Sequence, residues 1–416
     1  MREVFVVGVH TTPFGRMPEA THKSLTRQAY EGVLADAGLE DGQGIGSAWF
    51  GNCALHVFGQ ANIRGQVCLA PLVQAGAFPE RVPVFNVEGG CATGAMALRG
   101  AIHDVAAGDA ELSLALGVEK TFIPSDPARM FELFDGALDQ LDPDTWKQHY
   151  EEVAREHGLD YRPEPGRIRL LDIAALGAQF HMRKHGTTAR HLAAVAAKNH
   201  DHGALNPNAQ YRKRMSVEEV LADKAVVGPL TRAMCAPISD GAAAVLVASK
   251  EQLARLPAAT QARAVRYLGG AFAGGKFRRI DEPSELATAA QRAYARAGVG
   301  PERVDVAEVH DATAFAELAA LELLGFCAPG AGGALTEEGA TRLGGARPVN
   351  LSGGLESKGH PLGASGLAMA HEVVTQLRGE AGARQHDGAR VGLLQNGGGL
   401  IGLDEAASAV MLLARP

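Results

Sequence analysis

Short apolar runs, each closed by turn residues, alternate along this chain with stretches that carry a helical stripe. Val4-Phe5-Val6-Val7-Gly8-Val9 opens the pattern and reads as a buried strand. A helix is expected around Leu25 to Asp36, with Leu25, Ala29 and Val33 on one face and Gly38 beyond its end. Val82 to Val87 predicts a strand running into Glu88-Gly89-Gly90-Cys91, followed by an alanine-rich helix over 92–107. Leu112 to Val118 and Ala242 to Ala248 predict two further strands.

The second half repeats this grammar. Strands are expected at 264–268, 304–310, 349–351, 391–394 and 409–413, and helices at 283–297, 314–324 and 366–377. Gly90-Cys91-Ala92-Thr93-Gly94-Ala95-Met96-Ala97 and Gly363-Ala364-Ser365-Gly366-Leu367-Ala368-Met369-Ala370 are loosely alike, which hints at duplication. Repeated strand–turn–helix units imply a layered α/β architecture, and helices of Ala and Gly can pack closely enough to lie between two sheets. Residues 120 to 225 break the pattern: acidic and aromatic positions mix around Phe131, Phe134 and Trp146, and polar ones from His191 to His202. This region reads as an inserted lid or loop domain.

Composition narrows the class. With 416 residues, 46% hydrophobic and 21% charged, the chain can bury two cores and is neither disordered nor fibrous. A net charge of −7 gives no basic footprint for nucleic acid. The five cysteines are odd in number and include no C-x-x-C pair, so neither a disulfide framework nor a zinc site is indicated. No apolar stretch reaches 18 residues and Met1 to His10 reads as a strand, so a soluble, cytoplasmic protein away from membranes is expected.

Four places could carry chemistry. Cys91 follows two glycines after a strand and begins a helix, where the dipole and free amides favour a thiolate; a buried structural cysteine is the plain alternative. His310 ends a strand in His310-Asp311-Ala312-Thr313, a position where α/β folds gather ligands, though a histidine there can equally serve packing. His360 sits in the run from Asn350 through Gly353-Gly354 to Gly359-His360-Pro361-Leu362-Gly363, where an imidazole could take a thiol proton; a stiff glycine–proline turn is the alternative. Gln395-Asn396-Gly397-Gly398-Gly399 follows a strand and could offer backbone amides to an oxyanion, or be a simple turn. Cys53, Cys68, Cys235 and Cys327 lack the strand–glycine–helix setting. Arg212, Lys213 and Arg214 could meet a phosphate or form a solvated face.

Taken together and in this order, these motifs resemble those of the thiolase superfamily, as do Phe180-His181-Met182-Arg183-Lys184-His185-Gly186-Thr187-Thr188 and Ser239-Asp240-Gly241-Ala242-Ala243-Ala244. The resemblance covers nearly the whole chain. It implies two duplicated βαβαβαββ halves in a five-layered α-β-α-β-α arrangement, at 1–119 with 225–255 and at 256–416. It also implies a loop domain over the coenzyme A groove at 120–224, and a tight homodimer. The histidine-aspartate motif at 310–311 is similar to that of sterol-carrier-protein-type and archaeal thiolases. By position the resemblance makes Cys91 the nucleophile and His360 its base. His310, with Asn350, would hold the thioester oxygen, and the amides of Cys91 and Gly398 would form the other oxyanion hole.

One departure stands out. Thiolases place a second cysteine, the acid/base at the α-carbon, where this chain has Gln395 or Ala312, and neither titrates. The implied activity is cleavage or formation of the C–C bond of a 3-oxoacyl-CoA, with coenzyme A as a substrate and no metal in this chain. Benzoylsuccinyl-CoA is one specific substrate it allows, and a small zinc-binding OB-fold protein is the implied partner. The rival readings are a thiolase-like retro-aldolase of steroid side-chain acyl-CoA and a non-catalytic acyl-CoA or lipid carrier; keeping Cys91, His310 and His360 together argues against both.

Overall fold

The computed structural model describes residues 2–415. Two half-sheets of the same topology meet along the first strand of each. In the N-terminal half, β1 (Val4–Thr11), β2 (Ser47–Gly51), β3 (Val84–Val87), β4 (Leu112–Glu119) and β5 (Gly241–Ser249) lie in the order β1-β5-β4-β2-β3. In the C-terminal half, β6 (Val265–Gly274), β7 (Val306–Glu308), β8 (Val391–Ile401) and β9 (Asp404–Ala414) lie in the order β6-β9-β8-β7, and Val349 adds a parallel bridge to Ala307 where β3 would be. Only the pairs Phe5↔Arg266 and Val6↔Val265 join β1 to β6. The outermost pairings of each half are parallel and the inner ones antiparallel, so the duplication read in the sequence extends to strand direction.

Alternation along the strands decides which layer each residue serves. Val4 and Val6 face a central core with Met411 and Leu413, whereas Phe5 and Val7 face an outer core on the N-terminal side, and Val410 and Leu412 one on the C-terminal side. The outer layers are α1 (His22–Asp36) with α2 (Arg64–Gln74), and α4 (Glu285–Ala297) with α5 (Ala314–Leu323). The central layer is α3 (Thr93–Ala107) with α6 (Leu362–Arg378), clamped between the two half-sheets. Five layers result. Small residues make this possible: a Cβ on Gly366 would lie 2.5 Å from Ala95 N, and one on Gly94 would lie 2.8 Å from Gly366 N.

Between β4 and β5, helices at Pro127–Asp135, Pro143–His157, Arg169–His185, Ala189–Gly203 and Val217–Leu221 precede a short hairpin of Ala225–Val227 and Leu230–Thr231. Two expectations need correction. The stretch 349–351 forms no strand, only the isolated bridge at Val349. Gly397, Gly398 and Gly399 are not a turn after a strand but lie inside β8, where Gly397 pairs with Ser408 and Gly398 with Ala407. The apolar run ends at Leu394, so periodicity loses the strand there, yet the ladder continues because β9 supplies backbone partners.

Among the described residues, no helix is long and apolar enough to cross a membrane.

Candidate active site

The turn after β3 sets the thiol. Residues Gly90–Ala92 make one tight helical turn that runs directly into α3. Thr93 Oγ1 accepts the Gly89 N–H at 2.9 Å and donates to Gly90 O at 2.7 Å, fixing the turn's shape. Cys91 therefore stands at the start of a central helix, as its sequence setting implies. The other cysteines are poor nucleophiles: burial pushes Cys68 and Cys327 up to about 11 and Cys235 to about 12. Cys53, beneath the same turn, is raised well above the ordinary thiol range by burial and by the nearby Glu119.

Cys91, His310 and His360 converge: the sulfur and one ring nitrogen from each histidine all lie within 4.8 Å of one another. Each residue is less than a tenth exposed, so substrate must come in through a cavity. The imidazoles, 5.3 Å apart between centroids, sit in opposite electrostatic settings. At His360, Nδ1 is 2.8 Å from Ser365 Oγ, and that hydroxyl donates to Pro361 O at 2.9 Å. Ser365 has spent its proton, so His360 carries its hydrogen on Nδ1 and presents Nε2 as a bare acceptor. Burial, then the neighbouring His310 and Lys358, hold His360 well below the ordinary histidine range. At His310 burial works against the charge, but the Cys91 sulfur and the Glu405 carboxylate outweigh it and raise the ring to about 10. His310 is thus an imidazolium donor and His360 a neutral acceptor.

The last motif closes the site from the other half. A Cβ on Gly398 would lie 2.2 Å from Ala92 N and 2.5 Å from Cys91 N, so only glycine lets β8 press against the cysteine turn. Asn396 Nδ2 donates to Cys91 O at 3.0 Å, and Gln395 Oε1 accepts the His310 N–H at 2.8 Å. Asn350 is the correction. Its Oδ1 accepts the Val309 N–H at 2.8 Å and its Nδ2 donates to Glu317 at 2.7 Å, wholly buried. It lies outside the cavity lining and braces the segment that carries His310, with one amide hydrogen given to a carboxylate.

Asp311 likewise serves the scaffold, accepting the Leu355 N–H at 2.7 Å and Asn199 Nδ2 at 3.0 Å. Arg212, Lys213 and Arg214 are exposed. Glu405 and Ser365 are the residues that sequence reading missed. Ser365 lay in plain view five places after His360. Glu405 had a weaker signal, as one of two acids opening an otherwise apolar terminal run.

A cavity of about 560 Å3 opens onto Cys91, His310, Gly398 and Glu405, with Phe180 and Phe315 among its largely apolar walls. One sulfur and two imidazoles are donors that zinc accepts. A ligating imidazole must give up the proton on the nitrogen that binds, however, and the raised His310 opposes that.

Two family models match: the thiolase N-terminal domain over residues 4–130 and the thiolase C-terminal domain-like family over residues 279–413. An acetyl-CoA acetyltransferase of Methanothermobacter thermautotrophicus is 35% identical over 96% of this chain and 97% of its own length. The chain belongs to the thiolase superfamily. As an enzyme it is a thiolase-type acyltransferase. The benzoylsuccinyl-CoA thiolase subunit BbsB of Thauera aromatica is 31% identical over 91% of this chain and 90% of its own. Among solved structures, the Ltp2-ChsH2(DUF35) aldolase superposes with a TM-score of 0.76, at 22% identity over 99% of this chain and 97% of the other, a likeness of fold.

Proposed function

We propose that this thiolase breaks or forms the C–C bond of a 3-oxoacyl-CoA through a thioester on Cys91. The observation that carries the reading is the gathering of the Cys91 sulfur and two imidazole nitrogens within 4.8 Å, with Cys91 and His310 lining a largely apolar cavity. In the cleavage direction, His360 Nε2 takes the Cys91 proton as the sulfur attacks the 3-oxo carbon. The C2–C3 bond breaks, its electron pair goes to C2, and protonation of C2 releases the shorter acyl-CoA. The thiol of a second coenzyme A then attacks the acyl-Cys91 carbonyl, the longer acyl-CoA leaves, and Cys91 regains its proton. Coenzyme A is thus a substrate, not a resident cofactor. The amides of Cys91 and Gly398 serve one oxyanion and the His310 N–H the other.

Within this chemistry we assign benzoylsuccinyl-CoA plus coenzyme A to benzoyl-CoA plus succinyl-CoA as the specific reaction to try first. The BbsB identity supports it, and so do the apolar walls. A small zinc-binding OB-fold partner follows from the same resemblance; the aldolase of similar fold is named for a pair that includes a DUF35 protein. A homodimer through the free edge of β3 fits the exposure there of Phe85, together with exposed Phe58 and Ile63. We place the protein in the cytoplasm.

The test is intact-mass analysis after incubation with acetoacetyl-CoA, 3-oxodecanoyl-CoA or benzoylsuccinyl-CoA. Wild type should gain one acyl group on Cys91 and Cys91→Ser should not carry it there. An unmodified Cys91 in the presence of turnover would sink the covalent reading. Full activity of the chain alone would remove the partner.

A further inference from the structure

The proton that C2 must receive has no assigned donor so far. Gln395 and Ala312 line the cavity but do not titrate, and His360 is occupied with the sulfur's proton. Attention falls on Glu405, at the start of β9. Its Oε1 lies 3.2 Å from His310 Nδ1, while Oε2 is buried without a protein partner. The side chain rests against β8 where position 397 has no side chain: a Cβ on Gly397 would overlap the carboxylate at 1.7 Å. Its backbone is tied down too, with the Glu405 N–H donating to Glu285 Oε1 at 3.1 Å.

We infer that Glu405 is a positioning residue that holds His310 as the α-carbon acid/base of the reaction, forming a Glu405–His310–Cys91 series. The carboxylate accepts the Nδ1–H, turns the ring so that Nε2 faces Cys91 and the cavity, and favours a proton on both nitrogens. This rests on the acyl-Cys91 reading above. The proton balance then closes. In the first half, the Cys91 proton goes to His360, and the His310 Nε2 proton, which holds the thioester oxygen while C2–C3 breaks, then passes to C2, leaving His310 neutral with its Nδ1–H still donated to Glu405. In the second half, the coenzyme A thiol gives its proton to His310, and Cys91, released as thiolate, recovers one from His360. Both histidines end as they began.

The neighbouring charges permit this. Cys91, His360 and Glu405 are the titratable groups facing His310, and Lys358 adds its charge on the His360 side. Behind Glu405 stand Glu285 and Asp404. Arg278 pairs with Asp404. Burial, then Asp404 and Glu405, push Glu285 up to about 9, which makes it a neutral acid at pH 7.

The experiment compares wild type, Glu405→Gln and Glu405→Asp, using whichever of the three 3-oxoacyl-CoA substrates wild type turns over fastest. The Gln variant should lose about 10²-fold in kcat with KM within about twofold, while still forming the Cys91 adduct. Its basic pH limb should move down by about one unit or more, because His310 no longer holds its second proton as firmly. The Asp variant should recover part of the rate and of the limb. Melting curves check that each variant is folded. Wild-type kcat and an unmoved basic limb in Glu405→Gln overturn the inference, while failure of wild type to form any adduct overturns the acyl-Cys91 reading instead. If neither variant folds, Glu405 is a structural residue and the inference falls.

Discussion

The two central helices begin in the same way and do different work. Each follows an outermost strand position of its half, β3 for α3 and the Val349 bridge for α6. In the N-terminal half the connection is short, and the residue at the helix start is Cys91. In the C-terminal half it is longer, residues 350–361, and delivers His360 just before α6. The long connection needs bracing that the short one does not. Asp311, Asn199, Glu356 and Glu317 hydrogen-bond through its interior, and Lys198 pairs with Glu317 at 2.5 Å. A duplicated scaffold thus points two helix starts at one spot, and sequence divergence placed a cysteine at one and a histidine at the other. The lesson is that symmetry supplied the location and the connections supplied the chemistry.

That comparison can be broken at several points. Cys91→Ala should cost most, about 10⁴- to 10⁶-fold in kcat, since a covalent nucleophile acts as a unit with its base. His360→Asn should cost about 10²- to 10⁴-fold, with the loss concentrated in acylation measured by single turnover. Equal losses in adduct formation and in its later breakdown would mean that His360 does not act on the Cys91 proton. Gly366→Ala tests the packing that brings the helices together. Its methyl must push Ala95 or Asn396 aside, and about 1–3 kcal/mol of stability should be lost in denaturant titration. No change would show that α3 and α6 have room to spare.

The smallest effect concerns His310. Its pKa is raised from about 6.5 to about 10 on folding, so its stabilising contribution is complete below the unfolded value and fades as pH climbs to the folded one. The melting-temperature gap between wild type and His310→Asn should therefore narrow from pH 7 to pH 10. A gap that widens would reverse the assignment of His310 as the charged ring.

Much of the fold could be read in advance, because alternating burial writes itself into strands such as β1, β5 and β9 and helical stripes into α1 and α4. The site was legible where residue type and neighbours agreed, as at Cys91 between paired glycines and a small-residue helix. It was not legible where the decisive partner came from a distant strand. Glu405 is 95 residues from His310, and nothing local marks it as that ring's neighbour. Asn350 misled for the opposite reason: it stands inside a motif rich in chemistry, but it is wholly buried and bridges Val309 and Glu317 away from the cavity.

By itself, then, the sequence determined the repeated strand and helix pattern, the family and the three side chains that converge, since period, composition and motif order are properties of the chain alone. Only the tertiary structure decided which imidazole is charged and which is bare. A pKa depends on burial and on the charges within a few ångströms, and those neighbours (Glu405 for one ring, His310 and Lys358 for the other) are gathered from separate strands and loops by folding.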